Sequence, residues 1–168
     1  KGLVKTYKIN DFGKEFITSY FSDNQFFGYS SFAKNLPHFE NSKAITATQI
    51  YKINKDEIKA IINNNHHIIF NFINLLAGNL IDVKELLPLL AYGSVRKKTA
   101  ATLLLLLKKY PLKTENEITI SRLNLANTIG IAKETLIRTL HDFKEENLIN
   151  FTSKSIKILN KYRLQKIV

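Results

Sequence analysis

The 168-residue sequence contains no cysteine. That excludes disulfides, cysteine-ligated zinc and cysteine-ligated iron–sulfur clusters. It also fits a cytoplasmic location, where thiols stay reduced. Long apolar runs are missing too. The longest aliphatic run, residues 103–107, falls far short of the roughly 20 residues that span a bilayer, so no membrane-spanning segment is expected. The opening "KGLVKTYKIN" places lysine at 1, 5 and 8 with no apolar signal-peptide core behind it. It has no initiator Met and reads as a strand, so the chain is expected to start inside a domain.

The chemistry of catalysis is equally sparse. His38, His66, His67 and His141 have no metal-ligand spacing, and the adjacent His66 and His67 do not face one another on a helix. Neither a Ser/His/Asp constellation nor a phosphate-cradling glycine loop is present. Asp56-Glu57 and Glu145-Glu146 fall at helix ends as ordinary solvated pairs. No metal, no cofactor and no enzyme activity are expected.

What the sequence has is positive charge: a net +11 and an isoelectric point near 9.7. A balance of this size favours nucleic acid or an acidic membrane surface as partner. It is unevenly spread. Residues 1–92 hold 10 basic and 8 acidic side chains (+2), and residues 93–168 hold 15 and 6 (+9). Two domains with different partners are expected.

The first 53 residues read as β-structure. "GLVKTYKI" and "KEFITSYF" are β-prone runs around the turn "NDFG". "DNQFFGYSS" then turns at Asp23-Asn24 and bends at Gly28, "PHFENSK" reads as loop, and "AITATQIYKI" alternates with period 2, which predicts a strand over residues 44–53. An antiparallel roll or sandwich lacking its first strands is expected. Asn54 and Glu57 have capping-box spacing for a short helix that "NNN" at 63–65 ends. A long helix follows from about His66 to about Leu90. Ile69, Ile73, Leu76, Leu80, Val83, Leu87 and Leu90 recur at alternating spacings of four and three, a heptad seam. Such a stripe either packs on the chain's own core or joins two chains, and its narrowness favours self-association. Pro88 is expected to bend or end the helix.

"AYGSVRKKTAATLLLLLKKY" opens a new unit, with Gly93 a hinge, Ser94 a cap and Pro111 a stop. "ENEITI" reads as a short strand. Ser121 caps one short helix, Gly130 turns the chain, and a second helix begins near Lys133. Residues 148–151 and 155–159 read as a hairpin. This order is that of a winged helix-turn-helix. Ala126 supplies the small contact at the corner, Ile131 and Leu136 the plug, and Leu125, Ile129 and Leu140 the apolar faces. Glu134, Ile137 and Arg138 share one face of the second helix. In a major groove Arg donates twice to guanine and Glu accepts from cytosine, while Lys133 would reach a phosphate or a guanine. Taken alone, Glu134 and Arg138 also form an ordinary i,i+4 surface pair. The corner, the basic half and the hairpin favour DNA reading.

"KETLIR", "LANTIGIAKET", "YGSVRKKTAATLLLLL", "FFGYSSF" and "KAITAT" resemble segments of the Crp/Fnr family of bacterial transcription regulators. The resemblance spans essentially the whole chain. It implies an α+β architecture in three parts: a partial β-roll of cyclic-nucleotide-binding type (1–65), a dimerisation helix and hinge (66–92), and a winged helix-turn-helix (93–168). It implies a homodimer on double-stranded promoter DNA bearing an inverted repeat, with RNA polymerase as a possible further partner. Matched residue by residue, Glu134 and Arg138 read bases and Lys133 stands where Arg is usual. Ser121, Thr152 and Lys154 sit near phosphates. Ala132 departs from the usual Ser or Thr and removes a cap.

The effector pocket departs further. Cyclic-nucleotide binders of this family hold the ribose with Gly-Glu and the cyclic phosphate with Arg-Ser or Arg-Ala. Here those places read Gly28-Tyr29 and Lys43-Ala44. Tyr cannot accept two ribose hydroxyls as a carboxylate does, and Lys lacks the bidentate fork of Arg. Cyclic AMP is not expected to bind with regulatory affinity. Two readings outside sequence-specific regulation stay open: a non-specific or architectural nucleic-acid binder, and a protein-interaction module built on the winged helix.

Overall fold

β-Branched and aromatic residues begin the chain and form its first sheet. In the computed structural model, which describes residues 1–29, 37–109 and 116–168, β1 (Val4–Ile9) and β2 (Glu15–Phe21) make an antiparallel hairpin. Its turn is organised by the Asn10 side chain, whose Oδ1 accepts from the amides of Phe12 and Lys14 at 3.0 and 2.9 Å. Gly13 takes the positive φ there. β3 (Asn41–Ala44) pairs with the other edge of β1, giving the order β2-β1-β3.

The third strand differs from the sequence expectation. It lies in "NSKA", most of which reads as loop, and residues 45–53 are not a strand. The cause is side-chain competition for the ladder. Thr46 Oγ1 accepts from the Leu3 amide at 3.0 Å, and Thr48 Oγ1 donates to the Thr46 carbonyl at 2.8 Å. Only Ile45 and Gln49 still donate backbone bonds to the first residues, at 2.8 Å each.

Two units divide the chain: residues 1–49 with 94–168, and residues 50–93. The second holds α1 (Lys55–Asn64) and α2 (His66–Tyr92). Glu57 accepts from the Asn54 amide at 3.0 Å, as the capping-box spacing predicts. Asn65 ends α1 and caps α2, accepting from the amides of His67 and Ile68. Pro88 does not end α2, which runs on to Tyr92. So near the C-terminus, Pro removes one ladder bond where few remain to be lost.

The first unit continues with α3 (Val95–Lys109), capped by Ser94 Oγ 3.1 Å from the Lys97 amide. Then come β4 (Glu117–Thr119), α4 (Arg122–Ile129), α5 (Lys133–Glu145), β5 (Ile149–Phe151), β6 (Ser155–Ile158) and α6 (Lys161–Gln165). The strands form a second antiparallel sheet, β4-β6-β5. Pro111, the expected stop of α3, lies outside the described residues. α6 has no counterpart in the sequence expectation; Asn160 caps it and Leu164 buries it.

One apolar core runs through this unit. Leu103, Leu106, Leu125, Leu136, Leu140, Phe143 and Ile156 are fully buried together with Leu3, Ile17 and Tyr20 of the first sheet. The first sheet therefore packs directly on the helices. Tyr20 Oη bonds Thr128 Oγ1 at 2.9 Å, and Lys5 Nζ donates to Asn124 Oδ1 at 3.2 Å while paired with Glu15. Lys5 is a buried charge that has both an ion pair and a hydrogen bond, the condition under which burial is tolerated.

Candidate nucleic-acid interface

The α4–α5 corner is set by local chemistry. Ser121 Oγ accepts from the Asn124 amide at 3.1 Å and starts α4. Gly130 ends it in the left-handed region at φ 77°, where only glycine is unstrained. A Cβ at Gly130 would also stand 3.2 Å from the Phe16 ring. Ala126 and Leu136 are buried in the corner, with Ile131 half-buried against the same core. Ala132 precedes α5 without a side-chain cap bond, as its methyl group dictates.

α5 then presents two sides. Leu136, Thr139, Leu140 and Phe143 are buried. Lys133, Glu134 and Arg138 are exposed, and Ile137 is half-buried beside them. Among the described residues no ion pair joins Glu134 to Arg138, so the ordinary i,i+4 surface pair does not form. Both are exposed on a helix whose other side is buried.

The wing hairpin follows. Thr152 Oγ1 accepts from the amides of Lys154 and Ser155 at 3.2 and 3.1 Å, which fixes its turn and leaves Lys154 exposed. Ser121 and Lys154 come together on the wall of one groove of about 840 Å³, which Thr119, Asn124, Ser153 and residues 45–49 also line. Ser121 uses a lone pair in capping and keeps its O–H to donate.

Sequence reasoning missed Arg122, which follows the cap. Its guanidinium donates to the carbonyls of Thr152 and Ser155, the latter at 3.2 Å, and lies 5.2 Å from the Phe151 ring centre. Burial lowers its pKa from the ordinary value, and it stays charged. A basic residue in the first turn of a helix, where the macrodipole disfavours it, was the available signal.

The four effector-pocket positions are not part of that groove. Lys43 and Ala44 lie exposed on β3 opposite Lys5 and Val4. Gly28, at φ 81°, lies near His38, and Tyr29 stacks on Phe26 at 5.9 Å. Burial first, then the Glu40 carboxylate, pushes the Tyr29 phenol upward, so it stays neutral where a cyclic-nucleotide binder has a carboxylate. The rest of "SSF" lies outside the described residues. On α2, Ile73, Leu76, Leu80, Val83 and Leu87 are exposed and Ile69 is half-exposed. Among the described residues no group of histidines and carboxylates is arranged to hold a metal, and no helix is long and apolar enough to cross a membrane.

Two family models match this chain: the cyclic nucleotide-binding domain over residues 1–65 and the Crp-like helix-turn-helix domain over residues 97–167. The chain belongs to the Crp/Fnr family. It is a transcription regulator of the Crp/Fnr type with a helix-turn-helix DNA-binding domain. Among relatives of this Crp/Fnr chain, the regulatory protein HlyX of Actinobacillus pleuropneumoniae is 26% identical over 94% of this chain and 67% of its own. The cAMP-activated global transcriptional regulator CRP of Haemophilus influenzae is 28% identical over 94% and 72%. A CRP/FNR-family transcriptional regulator from Thermus thermophilus superposes with a TM-score of 0.82 at 17% identity, over 99% of this chain and 84% of that one. That likeness places the fold as the Crp/Fnr type.

Proposed function

We propose that this regulator binds promoter DNA as a homodimer and reads an inverted repeat with α5. The observation that carries the reading is the exposed Lys133, Glu134 and Arg138 on a helix whose opposite side is wholly buried. Arg138 pairs with a guanine, Glu134 accepts from a cytosine amine, and Lys133 anchors the helix start. Ser121, Thr152 and Lys154 hold phosphates and set register without reading sequence. Residues 1–65, 66–92 and 93–168 act as sensor-type, dimerising and DNA-binding parts. The exposed stripe Ile69, Ile73, Leu76, Leu80, Val83 and Leu87 is the seam for a second copy, because a lone helix gains nothing from holding six apolar residues in line against water. The chain acts by binding rather than catalysis, in the cytoplasm where its DNA is, and RNA polymerase is its natural downstream contact.

Cyclic AMP is not its effector. The Haemophilus relative is described as cAMP-activated, but here the neutral phenol of Tyr29 and the single-point charge of Lys43 replace the groups that hold ribose and cyclic phosphate.

Selection from random duplex DNA at about 150 mM salt, where phosphate-only binding is already weakened, tests the reading. It predicts an enriched inverted repeat with half-site centres about 10 bp apart. Binding without any sequence enrichment would favour an architectural role instead.

A further inference from the structure

The wing could be held to the helix-turn-helix by its strands alone. Instead three side chains from two helices converge on it. Arg122 at the start of α4 donates from Nη2 to the carbonyls of Thr152 and Ser155, the two residues that bracket the wing turn. Its Nη1 lies 3.5 Å from the carbonyl of Ile120, in the segment leading into α4. The same guanidinium lies over Phe151 of β5 at 5.2 Å. Lys144 of α5 lies over that ring at 5.4 Å, and His141 of α5 meets it edge-on at 5.2 Å. Phe151 is thus gripped from α4 and from α5, and both ends of the wing turn are tied to one planar cation.

The geometry suits Arg and no other residue. Nη2 alone serves both wing carbonyls and Nη1 faces that of Ile120, so one rigid plane holds three carbonyls in fixed directions while its face covers a ring; an ammonium has no such plane. The bonds run from a charged donor to backbone carbonyls, which makes them stronger than neutral ones. Their partners, Thr152 and Ser155, are also joined through their hydroxyls at 3.1 Å. Between them sits exposed Lys154.

We propose that Arg122 is a positioning residue for DNA binding: it clamps the wing so that Thr152 and Lys154 meet the phosphate backbone at a fixed distance from α5. It does so with its own guanidinium turned inward onto the wing. The proposal rests on the reading of Thr152 and Lys154 as phosphate contacts.

A double-mutant cycle on the full-length chain tests it, using a mixed-sequence duplex long enough for two half-sites and affinity measured across a salt series. Lys154→Ala should weaken binding about tenfold and lower the salt slope by about 0.9 per protomer. Arg122→Ala should do the same, and Arg122→Lys should fail to restore the wild-type value although the charge is kept. In the Lys154→Ala, Thr152→Ala background, Arg122→Ala should cost no further affinity, because the contacts it serves are gone. Additive losses would overturn the proposal and make Arg122 an independent phosphate contact. An effect of Lys154→Ala with none of Arg122→Ala would overturn it as well. No effect of Lys154→Ala would instead overturn the underlying phosphate reading of the wing, and the clamp with it. A melting curve for each variant keeps these outcomes separate from unfolding: loss of affinity at an unchanged melting temperature is the expected pattern.

Discussion

Gly130 and Ala132, two residues apart, show how differently a short corner treats its positions. Gly130 holds φ at 77° with the Phe16 ring 3.2 Å from where a Cβ would stand. Gly130→Ala should therefore destabilise the protein by about 1–2 kcal/mol, seen as a lower melting temperature, from left-handed strain alone. Ala132 is the reverse case, an uncapped helix start. Ala132→Ser should add about 1 kcal/mol of stability by accepting from an amide of the first turn. Glu146 carries the clearest acid titration. The hydrogen bond from Arg96 holds its carboxyl below the ordinary value of 4.5, with the charges of Arg96 and Arg163 adding to that. A depressed folded pKa means the contribution is complete above about pH 5 and is lost as pH falls through the folded value. Glu146→Gln should flatten the acid limb of a stability–pH curve below pH ~4.5 and leave the neutral region with a smaller, pH-independent loss. The corner residues were legible because each has one physical job. Arg122 was not, because its partners are backbone carbonyls some 30 residues away, and a carbonyl leaves no mark in a sequence.

Elements were legible where a periodic pattern and a cap agreed. α1 shows the cap in Asn54 and Glu57, and α2 the pattern in its heptad stripe after the "NNN" break; α4 has Ser121 at one end and Gly130 at the other. The stretch 44–53 had a pattern without support. Its alternation is genuine, but Thr46 and Thr48 turn their hydroxyls onto the backbone and end the ladder at Ala44. α6 was invisible for the opposite reason: five residues are too short for a period, and Leu164 alone is buried. Of the two outcomes expected at Pro88, a bend or an end, the end does not occur, since α2 passes through it. The proposed seam on α2 is open to a single substitution. Leu80→Asp should convert a dimer to a monomer in sedimentation, since a carboxylate in an apolar seam is left without a partner. A monomeric wild type would refute the seam.

For the whole molecule, charge and connectivity point the same way. The +9 of residues 93–168 against +2 before them puts the attraction for DNA in the part that holds the helix-turn-helix domain. The first sheet shares a core with that basic half, and Tyr20, Lys5 and Phe16 touch α4 and its turn. The sheet and the helix-turn-helix are thus joined through packed side chains. The family was legible from short motifs, since a helix-turn-helix corner needs particular residues at fixed spacing. The contact between sheet and α4 was not, because it joins residues more than 100 positions apart.

If α5 reads sequence through Arg138, as proposed, then Arg138→Ala paired with a base change in the selected operator will show it. For the wild type, replacing one G·C pair in each half-site should cost about 1–3 kcal/mol per contact, while Arg138→Ala should bind both operators alike. If Arg138→Ala weakens binding to every sequence equally and keeps the wild-type preference at that pair, Arg138 holds phosphate and α5 does not read DNA as described.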